Sequence, residues 1–138
     1  KQTTLILFTI ISFSFQSNKS YPDDAYNDIN LICSGKWHLE YMKVSGNKIP
    51  LPAEMIENTW IRYYTDGTAE GMDKEGKLTK GNWEYLKEIR SIKGTSTSEE
   101  ETGEEETQIQ KIISISESKF VLSSIQHEHE YTTGFTKR

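Results

Sequence analysis

The chain has 138 residues, of which 34% are hydrophobic and one is a cysteine, and its formal net charge is −5. This length suits one domain with one hydrophobic core. The acidic balance argues against nucleic acid and against anionic membrane surfaces as partners, because both repel negative charge.

Residues 1–20 have the features of a secretory signal peptide. Lys1 precedes an apolar or hydroxylic run at positions 5–15, and polar residues follow that run. Such a run is too short to span a bilayer comfortably. We therefore expect a signal peptide over 1–20 and one domain over 21–138. The protein is expected to be secreted or periplasmic, with association with the cell envelope as a further option. An uncleaved membrane anchor is the alternative. Without the leader, 14 basic and 21 acidic residues remain, so the net charge is about −7.

Cys33 is the only cysteine, so an intrachain disulfide cannot form. Stability must therefore come from packing. We expect Cys33 to behave as a small buried hydrophobic residue. Lipid modification is the alternative, although Cys33 lies well past the leader.

The pattern along the domain predicts one short helix and eight strands. Asp24 could cap a helix that ends near Ile32. From Trp37 onward the period is two, which places Trp37, Leu39 and Tyr41 on one face of a strand. The prolines at 50 and 52 exclude a central strand, so we expect a crossing loop there, with one helical turn at 53–58. The other predicted strands are residues 60–64, 68–72, 81–85, 88–93, 108–115, 120–125 and 130–136.

Short turns connect these strands in simple sequence order. The Asp66-Gly67 pair between two strand-like runs is a strong hairpin signal, and a second turn follows at 73–76. Eight such strands can form a sandwich or a closed barrel. Closure removes both sheet edges and suits a sequential meander, so the prediction is all-β: an eight-stranded antiparallel up-and-down barrel with a short N-terminal helix.

A glutamate-rich stretch interrupts the strands at 99–106, where six of eight residues are glutamate. These charges repel one another and bury nothing, which predicts an exposed loop. The stretch lacks the ligand spacing of a defined calcium loop, so we expect no calcium site. It could bind an envelope protein, and this gives an alternative function: a non-enzymatic interaction scaffold that acts through its surface or acidic loop.

Several short motifs together resemble those of the lipocalin-like domain of small secreted or envelope proteins of bacteria. The resemblance covers about residues 32–138. It rests on Gly35-Lys36-Trp37, on the Asp-Gly turn at 64–68, on Gly81-Asn82-Trp83, and on the late runs 120–122 and 131–138. It implies a calycin-type barrel. The classical extracellular members have disulfides and a Thr-Asp-Tyr segment, and this chain has neither.

The resemblance also implies a structural role for Gly35, Trp37 and Arg138. In such barrels the tryptophan lies at the closed end, and a basic residue of the last strand packs over its ring. The matching basic residue is Arg138 or Lys137.

The aromatic residues are numerous for a chain of this length, and they either fill the barrel or line a ligand cavity. Charged residues that face inward would matter more, because a ligand can partner a buried charge. The inward candidates are Arg62, Glu70, Arg90 and Lys111, although parity alone does not decide among them. The predicted ligand-binding residues are Trp60, Arg62, Tyr64, Trp83, Tyr85 and Arg90. The first hypothesis is a barrel that binds one small, largely apolar molecule.

A zinc site is the one metal site that the sequence suggests. His127 and His129 lie two apart, and His38 on the first strand could approach them. However, His38 has the opposite parity to Trp37, and the two later histidines fall near a hairpin turn. We therefore predict no zinc site.

No motif predicts catalysis. The sequence shows no nucleophile elbow, no singled-out carboxylate pair and no phosphate-binding glycine loop. We expect a monomeric, non-enzymatic protein without a cofactor or a nucleic-acid partner.

Overall fold

The computed structural model describes residues 23–97 and 105–138. The predicted signal peptide and residues 98–104 of the glutamate-rich stretch lie outside the described residues, so the roles proposed for them stay predictions. The elements in chain order are α1 (Asp23–Ile32), β1 (Trp37–Val44), β2 (Asn47–Ile49), α2 (Ala53–Asn58), β3 (Trp60–Tyr63), β4 (Thr68–Met72), β5 (Leu78–Leu86), β6 (Ser91–Thr97), β7 (Glu105–Ile115), β8 (Lys119–Gln126) and β9 (His129–Lys137). Neither described helix is long and apolar enough to cross a membrane.

Eight of the strands form a closed antiparallel barrel. Each strand from β3 to β8 pairs with the next strand in the chain. The ring closes because β1 pairs with β9 along its length and with β3 at its start. The three-residue strand β2 pairs with the end of β1 and lies outside the ring. The predicted barrel is therefore confirmed over the sandwich. The helical turn predicted at 53–58 is present as α2, and the short strand β2 precedes the two prolines in the predicted crossing loop.

The Asp-Gly hairpin follows from side-chain hydrogen bonding and from glycine. The Asp66 carboxylate accepts hydrogen bonds from the Thr68 backbone N–H at 2.9 Å and from the Thr68 hydroxyl at 2.6 Å. Gly67 has φ +89°, a conformation that other residues rarely adopt. These contacts set the register of β3 and β4, in which Tyr63 lies opposite Ala69.

A chain of aromatic rings fills one end of the barrel. Trp37 and Phe120 are fully buried with ring centroids 5.2 Å apart, and Phe120 lies 6.5 Å from the Tyr63 ring. Tyr63 in turn contacts Trp83 edge-on at 5.3 Å. Aromatic pairs at these separations add to the free energy gained from burial. The remaining fully buried side chains are Ile32, Leu39, Ile92, Ile112 and Leu122.

Tyr41 does not share the inner face with Trp37 and Leu39. The register between β1 and β9 shifts between Leu39 and Tyr41, so a bulge reverses the alternation of side chains. Tyr41 lies opposite Gly134, where a Cβ would overlap the tyrosine ring. The expectation from parity was therefore wrong for Tyr41.

Cys33 packs against the core and is partly buried. Burial, helped by the charge of Asp66, raises the pKa of its thiol to about 11. The thiol is therefore protonated at neutral pH, as suits a small packing residue.

Candidate functional site

The barrel contains a cavity of about 300 Å³ on the side formed by β3 to β7. Its floor is apolar and consists of Ile61, Tyr63, Trp83 and Ile92. This volume is at the lower end of the range for small-molecule sites in proteins. The barrel is thus solid at one end and hollow at the other.

Three glycines lie in one wall of the cavity. Gly71, Gly81 and Gly94 lie on β4, β5 and β6 and line the cavity. At Gly94 an added Cβ would meet no atom within 4 Å, so this glycine borders open space. Gly94 lies opposite Trp83 on one side and opposite Gln108 on the other.

The adjoining wall is polar and comes from β7. Glu106, Gln108 and Gln110 alternate along this strand and line the cavity, facing Ser96, Gly94 and Ile92 across the ladder. Within the described residues, neither glutamine side chain has a recorded hydrogen-bond partner. The wall can therefore donate and accept hydrogen bonds toward a bound molecule.

Tyr63 brings one hydroxyl into the otherwise apolar cavity floor. Its side chain is buried, and burial raises the pKa of the phenol well above the ordinary tyrosine value. No hydrogen bond of its hydroxyl is recorded within the described part of the chain. The neighbouring Trp83, in contrast, donates its indole N–H to the Tyr64 carbonyl at 2.7 Å and is held in place.

Three of the predicted ligand residues face away from the cavity. Trp60 lies opposite His38, and Arg62 lies opposite Glu70, on the outer wall. The alternating residues Ile61 and Tyr63 face inward. Tyr64 donates a hydrogen bond to Glu70 on that outer wall. Trp60, Arg62 and Tyr64 therefore do not line this cavity, and Glu70, which borders it, directs its carboxylate to Tyr64. Lys111 is also exposed on the outside.

Tyr85 and Arg90 form a structural cluster with helix α1. Asp28 is buried, and its carboxylate accepts hydrogen bonds from Tyr85 Oη at 2.7 Å, Arg90 Nε at 2.9 Å and Arg90 Nη2 at 3.1 Å. Arg90 has φ +46° in the turn between β5 and β6. Of the six predicted ligand residues, only Trp83 lines the cavity. Tyr85 and Arg90 instead hold the helix against the barrel.

The contacts among Asp28, Tyr85 and Arg90 explain the pKa shifts of Asp28 and Tyr85. Burial by itself would raise the pKa of Asp28, but the hydrogen bonds from Arg90 and Tyr85 and the charge of Arg90 lower it below its ordinary value. Burial and the same hydrogen bond raise the pKa of Tyr85 to about 12. At neutral pH the cluster therefore contains a carboxylate, a neutral phenol and a guanidinium.

Replacing Asp28 with asparagine should lower the free energy of unfolding by about 1–3 kcal/mol at neutral pH, because charge-assisted hydrogen bonds are lost. The pKa of Asp28 is lower in the folded state, so its contribution is complete above the unfolded value of about 3.9 and disappears as the pH falls further. Urea unfolding at neutral pH and near pH 3 measures this. Glu88→Gln, on the same turn but exposed, is the control. An equal loss in both variants would contradict the role of the cluster.

The histidines do not meet. His38 lies on the outer wall, whereas His127 and Glu128 form the two-residue turn between β8 and β9 with φ +51° and +67°. His129 lies beside Ser45, with its Nδ1 3.4 Å from the serine hydroxyl. Within residues 23–97 and 105–138, no group of three metal-ligating side chains is close enough to hold an ion. The absence of zinc binding stays a prediction.

The closed end of the barrel has the cation and the tryptophan that the resemblance implied. Trp37 donates its indole N–H to the Ile32 carbonyl at 2.9 Å, and Lys137 Nζ lies 4.9 Å from the ring centroid. Lys137 also donates a hydrogen bond to Ser34 beside Gly35. Lys137 is therefore the cation over the ring, and Arg138 is exposed on the outer side.

A groove separates β7 from β8 at the hollow end. The ladder between them ends at the pair Lys111 and Ser123, although both strands continue. The groove has a volume of about 520 Å³ and shares Glu106 and Gln108 with the inner cavity. Its outer rim carries Ile109 and Ile125, which are 50% and 77% exposed. The groove and the cavity therefore lie beside the same stretch of β7.

Two solved structures have a similar arrangement of strands. A lipocalin-like protein from Bacteroides uniformis has a TM-score of 0.54 at 16% identity, over 75% of this chain and 96% of that one. A DUF4847 family protein from Bacteroides vulgatus has the same TM-score at 15% identity, over 78% and 96%. No family model matches the sequence, and no curated protein is significantly similar to it.

The chain is a lipocalin-like barrel. The closed eight-stranded ring, the short helix at its filled end and the two structural likenesses agree on this fold. At these identities the likeness concerns the fold, and it does not carry a ligand from one protein to another. The ligand chemistry of this lipocalin-like barrel must therefore be argued from its own cavity.

The sequence interpretation missed Tyr63, Gly94, Gln108 and Gln110. One signal was available for Tyr63. Arg62, Glu70 and Lys80 are charged and lie at matching positions across β3, β4 and β5, which is typical of a solvated outer face. Counting outward from the Asp-Gly turn on that basis places Tyr63 and Ala69 inside.

Proposed function

We propose that this lipocalin-like barrel binds one small molecule in the cavity between β3 and β7, as a monomeric, non-enzymatic protein of the periplasm or the cell exterior. The proposed location outside the cytoplasm is based on residues 1–20, which have the features of a signal peptide. The observation that carries the binding proposal is the open cavity, with its aromatic floor, beside a filled aromatic core.

The lining refines the expected ligand. A purely apolar molecule would leave the amides of Gln108 and Gln110 without partners, which costs free energy on burial. A ligand with a largely apolar body and a hydrogen-bonding edge fits better. Its apolar body would lie on Tyr63 and Trp83, and its polar edge would face β7.

Native mass spectrometry of the protein purified from its own host tests the proposal. We expect a mass excess of one small molecule per chain, which is lost on denaturation. A neutral, apolar fluorescent probe such as N-phenylnaphthylamine should compete with that molecule. A chain that carries no extra mass and does not bind the probe would contradict the proposal.

A pair of tyrosine variants locates the bound molecule. Tyr63→Phe removes the hydroxyl in the cavity floor, whereas Tyr64→Phe makes the same chemical change on the outer wall. Loss of one hydrogen bond predicts about three- to tenfold weaker binding for Tyr63→Phe alone. Equal affinities in the two variants would place the ligand elsewhere.

A further inference from the structure

Three cationic residues lie side by side on the outer wall at the start of β1. The ladder pairs Trp37 with Lys137 on one side and with Ile61 on the other. Lys36 directly precedes β1, Arg138 directly follows β9, and Arg62 follows Ile61 on β3. Because side chains alternate along a strand, all three project outward where Trp37 projects inward.

Two of these cations pack over aromatic rings of the outer wall. Lys36 Nζ lies 4.1 Å from the centroid of the Trp60 ring, and the Arg62 guanidinium lies 5.1 Å from that of Tyr64. His38 lies next to them, opposite Trp60. Burial and then the charges of Arg138 and Lys36 lower the pKa of His38, so both cations act on this ring. We call Lys36, His38, Arg62 and Arg138 the outer cationic cluster.

The outer cationic cluster contains two buried nitrogen atoms without partners, and the one on arginine is a hydrogen-bond donor. Arg62 Nε and His38 Nδ1 are buried atoms for which no hydrogen-bond partner is present in the described part of the chain. Glu70 is opposite Arg62, but its carboxylate accepts the hydroxyl of Tyr64. No ion pair is recorded between a described carboxylate and any of the three cations.

Glu70, opposite Arg62, offsets only part of the charge of the three cations. Neighbouring like charges repel one another, and a buried donor without a partner costs free energy. The cost is notable because the whole chain has a net charge of −5 and offers many carboxylates. An oxyanion would offset both terms, because it accepts several charge-assisted hydrogen bonds from arginine and lysine at once.

We propose that the outer cationic cluster binds an oxyanion group, such as a phosphate, at a site on the outer wall distinct from the cavity. The phosphate could belong to a soluble molecule or to a lipid headgroup, since both present the same oxygens. Trp60 and Tyr64 border the site and provide apolar ring surface beside the bound group. This inference does not depend on the ligand of the cavity.

Titration with inorganic pyrophosphate tests the soluble source, and sedimentation with vesicles of phosphatidylglycerol and phosphatidylcholine tests the lipid source. Saturable binding is expected in one arm, with shifts of the His38 ring and Trp60 indole signals in NMR spectra. The double variant Arg62→Gln/Arg138→Gln should bind at least about tenfold more weakly, because two charge-assisted contacts are lost.

Two controls separate a site from general attraction or from misfolding. Lys93→Gln/Lys111→Gln removes the same charge from neighbouring outer-wall positions on β6 and β7 and should bind as the wild type does. Arg138→Gln alone changes an exposed residue and should weaken binding with an unchanged melting temperature. Equal weakening in both double variants would overturn the proposal. So would an absence of saturable binding in both arms, because the cations would then only cover the rings of Trp60 and Tyr64.

Discussion

Replacing Trp37 with alanine is expected to lower the free energy of unfolding by about 3–5 kcal/mol, the usual cost of removing a fully buried large aromatic side chain. Trp37 has no exposed surface and contacts Phe120 at the centre of the filled end. Its indole N–H also holds the carbonyl at the end of helix α1. The substitution therefore weakens the core and the attachment of the helix together. Urea unfolding followed by circular dichroism measures the loss.

Two variants show which part of this loss belongs to which contact. Lys137→Gln keeps the tryptophan but removes the cation above it, and should cost about 0.5–2 kcal/mol. Trp60→Ala removes a tryptophan of the same size from the outer wall of the adjacent strand. We expect Trp60→Ala to cost much less than Trp37→Ala. Similar losses for both would mean that Trp37 is not the centre of the core.

Replacing Gly94 with leucine is expected to abolish binding in the cavity while the fold is retained. A side chain at this position would project into open space between Trp83 and Gln108 and occupy the volume of the ligand. Because no atom lies close to the added Cβ, the strain that usually accompanies an enlarged core residue should be small. We expect affinity for N-phenylnaphthylamine, and for the molecule retained from the host, to fall by at least about a hundredfold, or 2.7 kcal/mol.

The matched control at the same position is Gly94→Ala. Alanine in a strand is more favourable than glycine by about 0.5–1 kcal/mol, so this variant should be slightly more stable than the wild type. It should still bind, since one methyl group leaves most of the cavity open. If Gly94→Leu binds normally and is equally stable, the ligand does not occupy this cavity.

The barrel itself could be predicted from the sequence because its signals are local. Strand alternation, the Asp66-Gly67 hairpin and the sequential order of short strands depend on neighbouring residues. The pairing of Trp37 with a cation of the last strand also followed from the resemblance. The choice between Lys137 and Arg138 did not, since it depends on which of two adjacent residues faces inward at the closing strand.

The candidate site was predicted less well because inward and outward positions depend on registers set far along the chain. A change of one residue moves a whole strand face from the core to solvent. Trp60 and Tyr64 look like cavity residues by type, yet pairing with β1 and β4 places them outside and Tyr63 inside. Tyr85 and Arg90 lie outside this cavity for another reason, and they border a separate hollow of about 720 Å³ beside α1. Their partner Asp28 belongs to a helix whose docking no local pattern reveals.

The ladder between β7 and β8 ends before the strands do, and this affects local opening of the barrel. Beyond Lys111 and Ser123, amides that point across the groove lack a partner strand, so they should exchange with solvent deuterium sooner than those between β8 and β9. Local opening there costs less than global unfolding. For a molecule bound as proposed, we therefore expect entry and release through transient separation of these two strands.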